Sequence, residues 1–188
     1  MSKSKRYRTI GEKLFWSYAN LAMAHAALDA GAESYGPRWY QVRNYMWTRF
    51  KNEEFKPRTL VDDEKIKLRS TPFCAYCGSQ DELTADHLIP AGRGGPDVGD
   101  NLVRACRSCN SSKGDRDLME WYLVREEFPP LLIFRRYLKQ CIELARDAGI
   151  LEHPLDESIE ELPFSITAVP TKLPPPKALK MQTEARFN

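Results

Sequence analysis

Three stripes of apolar residues at helical spacing, and one compact stretch of strand-like runs, organise this sequence. In the first stripe Leu14, Tyr18, Leu21, His25 and Leu28 recur at intervals that share one helix face. Thr9 and Glu12 have the spacing of a capping box and Gly31 is a natural stop, which predicts a helix from Ile10 to Ala30. His25 lies on that stripe and reads as a packed core histidine. A second helix starts at Pro37, a residue suited to a first turn, and runs to about Lys51. Here Trp39, Val42, Met46 and Phe50 are spaced as core. The third stripe follows the Pro129-Pro130 break: Phe134, Tyr137, Leu138, Cys141, Ile142 and Ala145 predict a helix from Leu131 to Ala148, with Arg135, Arg136 and Lys139 opposite or beside the apolar face. Cys141 reads as a small buried apolar residue.

Between the second and third stripes the period shortens. Leu83 to Pro90 reads as a strand ended by proline, Ala91 to Pro96 as a mobile glycine-rich turn, and Asn101 to Ala105 as a return strand. From about Arg107 through Trp121 the pattern is helical. Beyond Leu151 prolines dominate (Pro154, Pro163, Pro170 and Pro174 to Pro176), and the stretch reads as an extended arm, disordered or docked on a partner or neighbouring subunit. The boundaries that follow are 1–70, a basic helical region; 71–122, the central unit; 123–150, a helix; and 151–188, the arm. The fold class is α+β, mostly α.

Charge changes this picture in one respect. The net charge of +2 conceals +6 over residues 1–70, from 14 Lys and Arg against 8 Asp and Glu, and −3 over residues 71–122, from 5 against 8. If the ligand is a polyanion, the general attraction comes from the N-terminal third. Arg43, Arg49 and Lys51 are the expected phosphate contacts there, reinforced by Lys56, Arg58, Lys65, Lys67 and Arg69 and interrupted by Asp62, Asp63 and Glu64. An apolar fraction of 42% suffices for a core. No apolar run approaches the roughly 20 residues that cross a bilayer. The basic start lacks the apolar region of a secretory leader, which points to the cytoplasm.

The candidate chemistry is concentrated between Cys74 and Trp121. Two Cys-x-x-Cys pairs, Cys74/Cys77 and Cys106/Cys109, offer four thiolates from two tight turns, the ligand set of a structural Zn2+ site. The 28 residues between the pairs exceed a usual zinc-ribbon spacing, so a functional segment is inserted between the knuckles. A closed four-thiolate site has no open position for substrate, so reactive chemistry belongs elsewhere. Asp86 and Asn110 offer hard oxygen donors suited to Mg2+ or Mn2+. His87 supplies an imidazole, the side chain that exchanges protons near neutral pH. Asn110 and Lys113 share a helix face, with Asp117 one turn further on.

Asp86-His87-Leu88-Ile89-Pro90, Gly94-Gly95, Asn101-Leu102-Val103 and Cys106-x-x-Cys109-Asn110-x-x-Lys113-Gly114 together resemble an HNH endonuclease of the ββα-metal type. The resemblance covers residues 74 to about 121. Asn110 stands where many members have histidine, a variant found in the HNH domains of RNA-guided nucleases, and it favours Mg2+. The resemblance implies His87 as general base, Asp86 and Asn110 as ligands of the catalytic ion, and Asn101 holding the loop and orienting His87. It further implies Lys113, with Arg116, neutralising the phosphate, and products with 5′-phosphate and 3′-hydroxyl ends. Arg93 on the glycine-rich loop is a further candidate substrate contact. DNA is the expected partner, with weak sequence preference, and a protein partner or self-association through the N-terminal helices and the arm would gate a phage-defence or mobile-element effector. The competing expectation is a zinc-stabilised nucleic-acid-binding module that does not cut. Neighbouring residues on a strand point to opposite faces, yet Asp86 and His87 must serve one phosphate, so a bend or strand end is expected near Pro90.

Overall fold

The computed structural model describes residues 7–52, 72–157, 159 and 162–186. Lys56, Arg58, Asp62 to Glu64, Lys65, Lys67 and Arg69 lie outside them. In order, the elements are α1 (Ile10–Asp29), α2 (Pro37–Lys51), β1 (Leu83–His87), β2 (Leu102–Cys106), α3 (Arg107–Lys113), α4 (Leu118–Val124) and α5 (Leu131–Asp147), with short 3-10 turns at Ala91–Arg93 and Pro176–Ala178.

Helix α1 starts as its cap predicts, with the Thr9 hydroxyl accepting from the Glu12 amide at 3.2 Å. It is buried on nearly every side, Leu14, Ala19, Leu21 and Ala24 being fully enclosed. Helices α2 and α5 pack against it, and the C-terminal arm covers much of what remains. His25 is half-buried against Arg135 of α5.

The expected core face of α2 did not form. Phe50 alone is buried on that helix, stacked on Phe15 with ring centroids 4.9 Å apart, whereas Trp39, Val42 and Met46 are only half-buried. Helix α2 nevertheless packs on α1, through Phe50 and through Trp47, whose ring meets that of Trp16 at 5.4 Å.

β1 and β2 form an antiparallel pair running from Leu83↔Cys106 to His87↔Leu102. The helix expected from Arg107 to Trp121 is broken in two. Gly114 takes a positive φ of 52° at the end of α3, a conformation glycine reaches without steric cost, and Asp117 then caps α4 by accepting from the Met119 amide at 2.8 Å. Asp117 is fully buried and also receives the Tyr137 hydroxyl at 2.6 Å and the Ser165 amide at 3.0 Å, so one carboxylate joins α4, α5 and the arm. Burial raises its pKa against the pull of those donors.

Arg136 and Lys139 of α5, expected near the edge of its apolar face, are buried. Arg136 donates to the Gly99 and Leu102 carbonyls at 3.0 and 3.1 Å, and Lys139 holds Asp100 at 2.9 Å. The hairpin loop receives both cations, and these bonds fix the hairpin on α5.

The arm is neither free nor reserved for a partner over residues 162–186. Phe164, Val169 and Leu179 enter the core, while α1 side chains donate to arm carbonyls: Ser17 to Pro170 at 2.7 Å and Trp16 to Thr171 at 3.2 Å. Farther along, the Leu131 amide bonds the Lys180 carbonyl at 2.9 Å, and the Arg186 amide bonds the Gly78 carbonyl at 2.8 Å. A proline-rich segment offers few amide donors, and here its carbonyls are met by side chains instead. Buried residues from all these elements form one continuous cluster. No helix among the described residues is long and apolar enough to cross a membrane.

Candidate active site

The cysteines converge. The sulfurs of Cys74, Cys77, Cys106 and Cys109 all lie within 4.8 Å of one another, close enough to hold one metal ion. Four thiolates about 2.3 Å from a tetrahedral ion stand roughly 3.8 Å apart, and the Cys77–Cys106 separation is 3.7 Å. The first knuckle turns at Gly78, whose φ of 82° and close approach to the Glu184 carbonyl exclude a side chain. The second knuckle sits where β2 passes into α3, with the Cys106 sulfur accepting from the Cys109 amide. Within the cluster, thiol donation from Cys109 lowers the Cys74 pKa to about 4, and the same interaction raises that of Cys109.

Helix α3 lies across one face of β1. Thr84 and Asp86 share that face by strand alternation. The Asn110 amide nitrogen meets the Thr84 hydroxyl at 2.9 Å and the Ala85 carbonyl at 3.2 Å. One turn on, the Lys113 ammonium meets Asp86 Oδ1 at 3.0 Å and the His87 carbonyl at 2.6 Å. Asp86 Oδ2 accepts from the Tyr76 hydroxyl at 2.5 Å. Asp86 is 6% exposed and Lys113 1%, so this is an internal ion pair. Burial and the Asp86 charge push the Tyr76 phenol well above its ordinary pKa, which keeps it a donor.

His87 closes the ladder, and the chain bends at Leu88. Its Nε2 lies 3.1 Å from Oδ1 of Asp97, a side chain 84% exposed. The adjoining outer face of the sheet carries Ala85, Leu102 and Arg104 around a shallow cleft of about 340 Å³. Asp86 and His87 thus contact different sides of the strand, and the strand ends at the second of them.

The loop between the strands is braced. Asn101, fully buried, accepts the Ile89 amide at 2.9 Å and donates to the Ile89 and Pro96 carbonyls at 2.9 and 3.0 Å. Gly95 packs so close that a Cβ there would lie 1.9 Å from the Ile89 carbonyl oxygen. Residues 91–96, expected as a mobile turn, are therefore pinned at both ends. Arg93 pairs with Glu120 at 3.2 Å, and Arg116 is exposed.

Asp86, His87, Asn110 and Lys113 thus meet on β1 and α3, and Asn101 holds the loop behind them. Arg43, Arg49 and Lys51 lie on α2, beyond α1. Sequence reasoning missed Tyr76 and Asp97. Tyr76 was hidden between two cysteines, and Asp97 follows the Gly94-Gly95-Pro96 turn, whose path only the fold reveals.

Comparison with known proteins gives the same segment a class. Residues 74–116 match the family model described as HNH endonuclease, under a quarter of the chain. Among curated proteins, the chain is 42% identical over 52 residues to the CRISPR-associated endonuclease Cas9 of Corynebacterium diphtheriae. That match covers 26% of this chain and 5% of that protein. No solved structure matches the chain.

Proposed function

We propose that this protein is a metal-dependent endonuclease that hydrolyses DNA phosphodiester bonds. The observation that carries the reading is the meeting of α3 with the end of β1, which brings Asn110 beside Thr84, sets Asp86 on the same strand face and leaves His87 at the strand terminus. Its support is the match of residues 74–116 to HNH endonucleases.

Asp86 and Asn110 would hold a Mg2+ or Mn2+ ion. The donor set fits: one carboxylate and one amide oxygen leave room for the waters and phosphate oxygens such ions retain. Asp86 already accepts two hydrogen bonds, but a carboxylate offers about four acceptor positions. When bound, the ion supplies charge stabilisation at the phosphate oxygens. His87 takes the proton from the attacking water. With the Asp97 carboxylate accepting the Nε2 hydrogen, the lone pair that takes the proton would lie on Nδ1. Because His87 is the last residue of the ladder, a phosphate seated across that end is reached from both strand faces. Asn101 keeps the loop that carries Asp97 in place. Lys113 braces Asp86, and phosphate contact falls to Arg116 and Arg93, the latter on release from Glu120. The cysteine cluster would hold Zn2+ and does no chemistry. Localisation in the cytoplasm, a part in antiviral defence and gating by a partner belong to the same proposal, and the Cas9 likeness supports only the second.

The test is a cleavage assay on supercoiled, duplex and single-stranded DNA with Mg2+ or Mn2+. Wild type is expected to cut, and His87→Ala to lose roughly 100- to 10,000-fold in rate, the range for removing a general base. DNA left intact by wild type would sink the hydrolytic reading. Asp97→Asn is expected to slow turnover roughly 10-fold or more with KM nearly unchanged, since it alters the tautomer and not the grip. A KM rise with normal turnover would mean that Asp97 only contacts substrate.

One observation favours the second reading, a zinc-stabilised binding module. Both Asp86 oxygens are engaged by Tyr76 and Lys113. On that reading His87→Ala leaves DNA binding intact and wild type shows no cleavage with any divalent ion.

A further inference from the structure

We propose that the outward face of α2 is a stacking track for unpaired bases, and that the protein grips single-stranded DNA there, away from the hydrolytic centre. The inference rests on the reading that the substrate is nucleic acid and adds which form of it is held, and where.

The helix is unlike the others. From Pro37 to Asn52 it carries Arg38, Arg43, Arg49 and Lys51 and no acidic residue. Apart from Phe50, its aromatic residues do not go inside: Tyr45 is 60% exposed and Tyr40 40%, with Trp39 and Trp47 half-buried. A helix that needed its rings only for packing would turn them toward α1, as it does with Phe50. Exposed rings among cations are instead what a flexible polyanion with flat bases requires.

The cations and rings alternate in space as well as in sequence. The Arg43 guanidinium lies 4.7 Å from the centroid of the Trp16 ring and 4.8 Å from that of Tyr40. Trp16 meets Trp47 edge-on at 5.4 Å, and the Lys51 ammonium stands 6.0 Å over Trp47. Tyr40, Arg43, Trp47 and Lys51 are spaced to form one stripe along the helix, about 16 Å long at 1.5 Å per residue. On the other flank Arg49 lies over Tyr45 at 5.6 Å and donates to its hydroxyl at 2.9 Å. Each exposed tyrosine therefore has an arginine over one face of its ring, which fixes the ring at little entropic cost and keeps a positive charge beside it for a phosphate.

The same features argue against a duplex as the preferred occupant. In a duplex the base faces are hidden in the stack, and rings standing proud of a helix have nothing to receive. The location also suits a holding site and not a cutting one. Helix α2 rests on α1, α1 on α5, and α5 on the hairpin loop through Arg136 and Lys139, so the track and the hydrolytic centre are separated by two helices.

The experiment uses the full chain in a His87→Ala background, so that binding is read without cutting. Fluorescence anisotropy is measured with a mixed-sequence single-stranded oligonucleotide and with the matching duplex. Tyr40→Ala/Tyr45→Ala is expected to weaken single-strand binding by roughly 10-fold or more, as loss of base–ring stacking requires, while duplex binding changes by less than about 2-fold. Tyr40→Phe/Tyr45→Phe should restore single-strand affinity, since the ring and not the hydroxyl stacks. Both side chains are exposed, and an unchanged melting temperature confirms that the fold is kept. Unaltered single-strand binding in the alanine pair, or an equal loss on both DNAs, overturns the proposal. So does a change in sedimentation without a change in DNA binding, which would assign the face to a second copy. If wild type cuts no DNA yet binds single strands through these tyrosines, the hydrolytic reading falls and this one stands.

Discussion

Replacing Cys109 by serine is expected to unfold the region from Cys74 to Trp121 and to abolish stoichiometric metal binding. The cluster gathers a knuckle before β1, the end of β2 and the first turn of α3, segments that a metal would join at one point. Other ties add to it: the Ala75 amide to the Arg104 carbonyl at 2.8 Å, the Arg107 amide to the Glu82 carbonyl at 3.1 Å, the Tyr76 hydroxyl to Asp86 at 2.5 Å and the Arg186 amide to the Gly78 carbonyl at 2.8 Å. A two-stranded hairpin of five residues a side is marginal on its own. Structural zinc contributes about 10–16 kcal/mol in comparable thiolate sites, as much as the whole stability of an ordinary domain. Elemental analysis of the purified protein, paired with thermal melting of wild type and Cys109→Ser, decides the matter. A metal-free protein that melts at the wild-type temperature would refute the clamp.

Lys113→Met is expected to destabilise the fold by about 3–5 kcal/mol, although it places an apolar chain in a buried position. Lys113 is 1% exposed, and among the described residues its ammonium is the only cation on Asp86. Removal leaves a negative charge at 6% exposure, held among the described residues by the Tyr76 hydroxyl alone. The loss comes from the stranded charge more than from the pair, so Asp86→Asn/Lys113→Met should recover over half of it. Urea unfolding of the two single variants, the double variant and wild type measures the coupling. A Lys113→Met loss below about 0.5 kcal/mol would show that Asp86 is solvated after all.

Much of the centre was legible because its signals are short-range. Cysteine pairs, an Asp86-His87 dipeptide and an Asn110–Lys113 turn are local spacings, and local spacing determines which side chains can meet on one turn or strand. The cap at Thr9 and the start at Pro37 were legible for the same reason. What failed was whatever depended on the distance between elements. Helical spacing placed Trp39, Val42 and Met46 on one face of α2, but only the way α2 sits on α1 decides that Phe50 alone is enclosed. Arg136 and Lys139 looked like surface charges until the hairpin loop supplied carbonyls and Asp100 to receive them. Lys113 was expected at a phosphate because a cation beside a nuclease motif suggests one, and the fold spends it on Asp86 instead. Asp97 lay outside any motif, since its role depends on a loop returning to the strand end. The arm was unreadable because proline suppresses periodicity, the signal from which burial is inferred.

The docking of the arm on the first knuckle has a consequence for the order in which the molecule is completed. Thr183 donates to the Ala75 carbonyl across 108 residues of sequence, and the Arg186 amide reaches the Gly78 carbonyl beside it. Translation adds roughly 5–20 residues per second, so the knuckle waits about 5–20 s after its own synthesis for these last backbone partners. The segment bearing Asp86, His87 and Asn110 is thus finished by residues made long after it, and a chain interrupted before Thr183 carries the whole motif without the strap that closes over its base.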